Sequence, residues 1–540
     1  MPQPAPRPSD RLRNEWTVFA LVVGSLVLLN VISVRNFFRW DLTRSHAYSL
    51  AKISKQYMRD LKDPITVKAF FTKNLPAPYN SNARYLRDLL EDYRAYSRGK
   101  FNYQFIDPAD DPSLEQEARS LGVYQIQLTA IEKDKFEQKN GYMGLALIYR
   151  DRREIIPLIQ DTQGLEYQLT SMIKKLVQGK TKVVGISQGY GEPGLYNELE
   201  NFRQLLAKNY EVVPVDLSRE SIPDRVDALL LAGPTETLPE DKLYRLDHFL
   251  RAGRNLAVMA QMVKTDARQS MQGHNVNSGI ARLLAAWGVQ AHPDLIYDLQ
   301  CQRIAVSQRG PGFIMQNIVP YPPFVLVTAL NPDSLINQNL ESYSLPFVSA
   351  VTLEESVLKS HNLAGRVLAQ SSPRAWEQKD FYMLSPQFIR PPDEAQLRQF
   401  DLAVDVSGKF PSAFSPDRLP VPAEAGETLP PFAAEAKPAR LVVIGGVDFL
   451  TNEFINEQRN DQGTRFALNL VDWVAQDPAL IEIRNKGLSA PPLTQVSEAH
   501  RQVVKYFNLI GLPLLVVAAG LLMWRRLEGR RSAITALFRA

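Results

Sequence analysis

Cysteine is almost absent from this chain: Cys301 stands alone among 540 residues. A single thiol excludes an internal disulfide framework and any CxxC redox or zinc motif. Histidine is scarce too. The six (46, 248, 274, 292, 361 and 500) lie far apart without an HxxxH pair, which speaks against a metal site. No GxSxG elbow and no Walker sequence occurs, so neither a hydrolase nucleophile nor an ATP-hydrolysing loop is expected. Net charge is only +4, much of the excess lying in residues 525–540, so the basic footprint of a nucleic-acid binder is missing.

Charge is missing altogether from two stretches. Trp16 to Val34 and Tyr506 to Trp524 are each nineteen residues long without an ionisable side chain. About 20 apolar residues at 1.5 Å rise cross a hydrocarbon core, and Trp16, Tyr506 and Trp524 sit where interfacial rings belong. The first stretch is too long for a signal-peptide core and lacks a small-x-small cleavage pattern. Two transmembrane helices, 16–34 and 506–524, are therefore expected. Five arginines and one glutamate follow Trp524, against Arg501 and Lys505 before the second stretch, which places the C-terminus in the cytoplasm. Residues 1–15 and the basic tail 525–540 then share the cytoplasmic side, and about 41–500 lies outside it. Ala20 and Gly24 form a small-xxx-small pair, and Asn30 is polar within the span, as are helix-contact faces in membranes. With Gly511 and Pro513 of the second span, they are candidate contacts with a membrane partner.

What remains is ordinary in composition, 45% apolar and 22% charged, as in globular domains. Residues 41–180 read as a first domain. ITVKAFF (65–71) and FNYQFID (101–107) alternate as strands, with a helix over 80–98 between them. A short helix at 113–123, strands near 126–132 and 143–149, and a helix over 165–178 complete the order βαβ-α-ββ-α. That is the order of a thioredoxin-like fold, here without redox cysteines. Residues 181–480 read as a Rossmann-like α/β domain: KVVGI, EVVPVDL, VDALLLAGP and RNLAVMA are buried-strand runs alternating with helices. From 300 to 438 the pattern turns into a β-rich insertion whose end, 411–438, is a proline- and alanine-rich linker or mobile loop. RLVVIGGVDFL (440–450) and TRFALNLVDWVAQ (464–476) then supply a last strand and helix, and 481–505 leads back to the membrane. The fold class is thus α/β, with a terminal helix at each end.

Gly189, Gly191 and Glu192 follow the first strand of this second domain, where helix N-terminal amides hold anions in other α/β proteins. The spacing is not a dinucleotide fingerprint, and a plain turn is the default. Gln188, Gly233 and Asp448 also follow strands, so the six form a candidate ligand or partner pocket at the carboxyl edge of the sheet. They include no nucleophile or base. Cys301 sits in a β-like run rather than an elbow, nine residues from His292, and reads as an inert thiol. No catalytic residue, metal or cofactor is expected.

Several blocks resemble the GldG-like auxiliary proteins of gliding-motility-type ABC transporters. They are DLTRSHAYSLAKIS (41–54), DPITVKAFF (63–71), RYLRDLLEDYRAYSRGKFNYQFIDPADDP (84–112), GLEYQLTSMIKKLVQGKTKVVGISQGYGE (164–192), VDALLLAGPTETLPEDKLYRLDHFLRAGRNLAV (226–258), LLAAWGVQAHPDLIYD (283–298) and RLVVIGGVDFLTNEF (440–454). Tyr190 stands where the family has histidine, and Arg254 where it has a second glycine. The resemblance implies a two-pass protein of the bacterial inner membrane, with its large domain periplasmic, serving as a non-ATPase component of an ABC-2-type transporter. Its implied partners are a polytopic permease, a separate cytoplasmic ATP-binding subunit, membrane lipid and an envelope or periplasmic substrate, with two copies per complex. The second domain would resemble an amidotransferase-like or ciliary transport-like domain that has lost its nucleophile. Two other readings stand beside it: a structural or mechanical adaptor without a ligand, and an envelope hydrolase using Cys301 or a carboxylate pair.

Overall fold

Two compact units divide the chain, Met1–Leu488 and Ser489–Ala540. The computed structural model describes residues 49–481 except 74, 77–78, 133–134, 160–161, 163, 179–180, 268–269, 311–312, 423–427, 457–460 and 477–480. It also describes 19, 21–25, 505, 507, 520–521 and 523–525. Most of both uncharged stretches, with Ala20, Asn30, Gly511 and Pro513, lies outside the described residues. Among the described residues no helix is long and apolar enough to cross a membrane. Leu21–Ser25 are helical with Leu21 and Val22 exposed, and a side chain at Gly24 would meet open space.

The first sheet is built from β1 (Ile65–Phe71), β2 (Phe101–Ile106), β3 (Met143–Tyr149) and β4 (Arg152–Ile156), in the order β2-β1-β3-β4. β1 pairs with β2 in parallel and with β3 antiparallel. Helix α1 spans Lys52–Arg59, α2 spans Tyr79–Tyr96, α3 spans Pro112–Ser120 and α4 spans Leu165–Gln178. Asp111 caps α3 by accepting from Ser113 N at 2.7 Å, with Pro112 in the first turn, a helix-start chemistry readable in the sequence. Leu86, Leu90 and Tyr93 of α2 and Leu165, Leu169, Ile173 and Leu176 of α4 pack on Val67, Ala69, Leu145 and Leu147. The strand expected at 126–132 exists but forms its own hairpin with Lys135–Gly141. The edge of the sheet is instead Arg152–Ile156, too charged at its start to read as a strand.

The second sheet has eight strands: β5 (Val183–Gln188), β6 (Glu211–Asp216), β7 (Ala228–Leu231), β8 (Asn255–Met259), β9 (Ala329–Leu330), β10 (Ala364–Gln370), β11 (Asp401–Gly408) and β12 (Ala439–Ile444). Their order is β9-β10-β11-β12-β8-β7-β5-β6. From β12 through β6 all pairings are parallel; from β9 through β12 all are antiparallel. Parallel strands are covered on both faces, hence their continuous apolar runs. On one face Val184, Ile186, Leu230, Met259, Val442 and Ile444 meet α5 (Glu200–Ala207) and α9 (Gln462–Val474) through Phe202, Phe466 and Leu470. On the other, Leu229, Leu256, Val258 and Val443 meet α6 (Glu240–Arg251) and α7 (Ile280–Ala286) through Leu246, Leu250 and Trp287. A short helix, α8, covers Glu355–Ser360.

Within 300–438, read as a β-rich insertion, β9, β10 and β11 extend the sheet itself. The described parts of 411–438, read as a linker or mobile loop, touch α6, with Tyr244 Oη donating to Pro430 O at 3.0 Å and Lys437 N to Arg251 O at 2.9 Å. Part-buried main-chain and ring contacts, which composition does not encode, join these residues to α6.

The two sheets share α4. Its Thr170 and Ile173 face the first core, while Tyr167 packs against the second and accepts from Asn209 Nδ2 at 2.6 Å. Two turns beyond Tyr167, burial depresses the Lys174 amine to about 8, against the pull of Asp472. Asp472 of α9 in turn accepts from Tyr210 Oη at 2.7 Å.

Candidate functional site

The carboxyl ends of β5, β7, β8 and β12 converge on one edge of the second sheet. Gly189 (φ +107°) and Gly191 (φ +76°) turn the chain out of β5. A Cβ at Gly189 would sit 2.5 Å from Asp216 Oδ1, and one at Gly191 would collide with Thr235. Both positions therefore demand glycine for conformation and for space. Between them, Tyr190 O accepts from Thr235 N and Glu236 N, each at 2.9 Å, which ties the loop after β5 to the loop after β7. Gly233 (φ +72°) opens that second loop, and its missing Cβ leaves room for Val447.

Glu192 turns back into the protein. Its Oε1 accepts from Ser187 Oγ at 3.0 Å and its Oε2 from Tyr190 N at 2.6 Å. Ser187, fully buried, accepts in turn from Ala232 N at 2.9 Å. Burial raises the Glu192 carboxyl above its ordinary range, the Tyr190 amide and Ser187 pull it down, and the nearby Asp216 charge adds to the rise. Gln188 is also inward: Nε2 donates to Ser187 O at 2.6 Å and Pro193 O at 3.1 Å, while Oε1 accepts from Leu195 N at 3.3 Å. Both polar side chains thus shape the loop.

Asp448 follows β12. Burial pushes its carboxyl up to about 6, partly countered by a hydrogen bond from Gln261, and Oδ2 is buried without a hydrogen-bond partner. Gln261 also accepts from Val447 N at 2.9 Å and donates to Val263 O at 2.7 Å, so it joins the loops after β8 and β12. The structure therefore links Gly189–Glu192 to Gly233 through Tyr190, and Gly233 to Asp448 through Val447 and Gln261. No hydrogen bond joins Glu192 to Asp448. Ser187, Thr235 and Gln261 were not read from sequence; a serine closing the apolar run VVGIS was the available sign for the first.

Cys301 opens the long hairpin Cys301–Gly310 with Phe313–Val327. Burial pushes its thiol up, away from the reactive thiolate. His292 Nε2 is engaged by Thr352 Oγ1 at 2.9 Å. Among the described residues no group of three or more His, Cys, Asp or Glu could hold a metal ion.

The carboxyl edge of the second sheet is thus a set of interlocked loops, and the comparisons give the chain a setting. Residues 181–476 match a family described as an ABC-type uncharacterized transport system, and residues 44–148 match a domain of unknown function. The first match alone covers more than half of the chain: the protein belongs to that family of auxiliary components of ABC-type transport systems, an accessory rather than ATP-hydrolysing role. A relative of uncharacterised function in Borreliella burgdorferi is 22% identical over 508 residues, covering 91% of this chain and 93% of its own. Among solved structures, the mmIFT52 N-terminal domain is matched at 10% identity and a TM-score of 0.33, covering 54% of this chain and 97% of that one. A ThuA-like protein from Parabacteroides merdae is matched at 8% identity and a TM-score of 0.28, covering 55% and 90%. Both scores are too low to assign a shared fold.

Proposed function

We propose that this protein is a membrane-anchored, non-ATPase accessory subunit of an ABC-2-type transporter, of the GldG-like kind. Family membership over 181–476 is the observation that carries the reading. In it, the uncharged segments 16–34 and 506–524 span the inner membrane and contact the permease through Ala20, Gly24, Asn30, Gly511 and Pro513. A thioredoxin-like and a Rossmann-like domain stand outside the cytoplasm, and a separate cytoplasmic subunit hydrolyses ATP. Two copies serve each transporter. The edge formed by Gly189–Glu192, Gly233 and Asp448 engages the substrate or an envelope partner. The shared helix α4 also favours a second reading, a mechanical adaptor, because it joins both sheets into one lever.

The test is isolation of the tagged full-length chain in mild detergent. Stoichiometric recovery of a polytopic permease and an ATP-binding protein is expected; a chain that repeatedly runs alone sinks the proposal. Topology is read separately, in a Cys301→Ser background, by placing cysteine at the exposed Val421. Labelling of Val421→Cys by an impermeant maleimide from the periplasmic side is expected.

A further inference from the structure

Helix α9 runs against the strands it covers. Arg440, at the start of β12, donates through Nη1 to Trp473 O in the last turn of α9 at 2.9 Å. The first turn of α9 therefore lies by the carboxyl ends of the strands, and there Phe466 packs 5.7 Å from Phe449, the neighbour of Asp448. With 13 residues, α9 is long enough to carry a helix dipole. Helix N-termini at this edge are where open α/β sheets hold anionic groups.

Two side chains of that first turn lack partners. Arg465 is 8% exposed. Among the described residues its Nε is buried without a hydrogen-bond partner, no ion pair includes it, and Asp461 is the one charge acting on it. Thr464, 1% exposed, likewise has its Oγ1 buried without a hydrogen-bond partner. Further along the same stripe the polar side chains are engaged: Asn469 Nδ2 donates to Ile336 O at 3.0 Å, and Asp472 accepts from Tyr210 Oη. A buried cation ordinarily carries a paired anion, because its desolvation is otherwise uncompensated. Long helical side chains lean toward the N-terminus, which turns Arg465 back over the first turn. Asp461 Oδ1 caps Thr464 N at 2.9 Å, and Arg465 N bonds to Asp461 O. The amides of Gln462 and Gly463 have no partner within the helix. A Cβ on Gly463 would meet only Asp461 Oδ1, at 3.6 Å, so space is left beside these donors.

We propose that the first turn of α9 binds a carboxylate group of the molecule engaged at the carboxyl edge, with Arg465 and Thr464 as its side-chain donors. A carboxylate matches the planar guanidinium through two parallel hydrogen bonds. A single negative charge also suits the site, because Asp461 stands beside it and would repel a phosphate dianion more strongly. On the accessory-subunit reading above, on which this assignment rests, the ligand of the edge gains a chemical class. It bears a carboxylate, carried by a small acid or by an acidic peptide side chain.

The test is thermal unfolding of the full-length chain in mild detergent, in sodium acetate against sodium chloride at equal ionic strength. A saturable rise in Tm with acetate is expected for the wild type, absent in Arg465→Met and about threefold weaker in apparent affinity in Thr464→Val. An equal response in wild type and Arg465→Met overturns the proposal. Should Arg465→Met not fold, Thr464→Val decides: a response equal to the wild type's overturns it, and a weakened one supports it. A larger rise with inorganic phosphate than with acetate overturns the carboxylate assignment. An acetyl-Ala-Glu-Ala-amide peptide acting at about tenfold lower concentration than acetate assigns the group to a peptide, and an equal or weaker effect assigns it to a small acid. Co-isolation of the permease and ATP-binding protein is read on the same preparation. A chain that recruits both without answering to acetate fails here while the transport reading stands.

Discussion

Glu166 accepts the backbone N–H of Ala51 at 2.7 Å, across 115 residues of sequence. Ala51 is the N-cap of α1 and offers no side-chain oxygen of its own, so α4 supplies the cap that the sequence of α1 lacks. The same carboxylate oxygen accepts from Ser54 Oγ at 2.8 Å, and Ser54 lies 3.0 Å from Thr170 Oγ1.

Removing that cap should loosen the start of the chain's first folded helix. Glu166→Ala is expected to cost about 2 kcal/mol, because a charged acceptor for two buried donors is lost. Glu166→Gln keeps an acceptor oxygen and should cost less than half as much. Urea unfolding midpoints check the pair. An equal loss in both would show that the cap does not depend on an acceptor at this position.

Asp294 gives a signed pH dependence. It is 1% exposed, and its Oδ1 accepts from Ala350 N at 2.8 Å. Burial pushes its carboxyl up from 3.8 to about 7, the Ala350 amide opposing and Glu377 adding. The folded state therefore favours the protonated form. That contribution is fully present below the unfolded value and is lost as pH rises through about 7. Between pH 5 and pH 8 the wild type should lose about 2–3 kcal/mol more stability than Asp294→Asn, which keeps an acceptor for Ala350 N. Parallel pH profiles for the two proteins would contradict this.

Gly445 is a matter of space. It follows β12, where Ser349 N donates to its carbonyl at 2.8 Å, and an added Cβ would land on the Ser349 carbonyl oxygen. Gly445→Ala should cost about 3 kcal/mol or more, since backbone rather than a side-chain tip must move. Gly463→Ala, within α9 and with its nearest neighbour at 3.6 Å, should be neutral or mildly stabilising. Thermal melts separate the two.

Much of this architecture was legible because its parallel strands are buried on both faces. KVVGI, ALLL and LVVI can be little else, and the 3.6-residue spacing of Leu165, Leu169 and Ile173 fixed α4 to the residue. Strands carrying charge escaped notice: Arg152–Ile156 and Asp401–Gly408 take their place from neighbours, not from their own pattern. At the edge loops the glycines announced themselves, whereas Ser187 and Gln261 act through hydrogen bonds that only tertiary contact creates. The prolines of 411–438 read as a linker or mobile loop, and the contacts that Ala413, Thr428 and Pro430 make with Asp247, Arg245 and Tyr244 of α6 had no sign in the sequence.

The place of β12 has a consequence for how the chain comes to be. It is the last strand of its sheet to be made, yet it lies between β11 and β8 in the middle of that sheet. Until residue 444 has emerged, β5–β8 and β9–β11 are two half-sheets, each with a raw edge that invites the wrong neighbour. Completion of the domain is thus a late event in biosynthesis, and a chain cut short before Ala439 cannot close it.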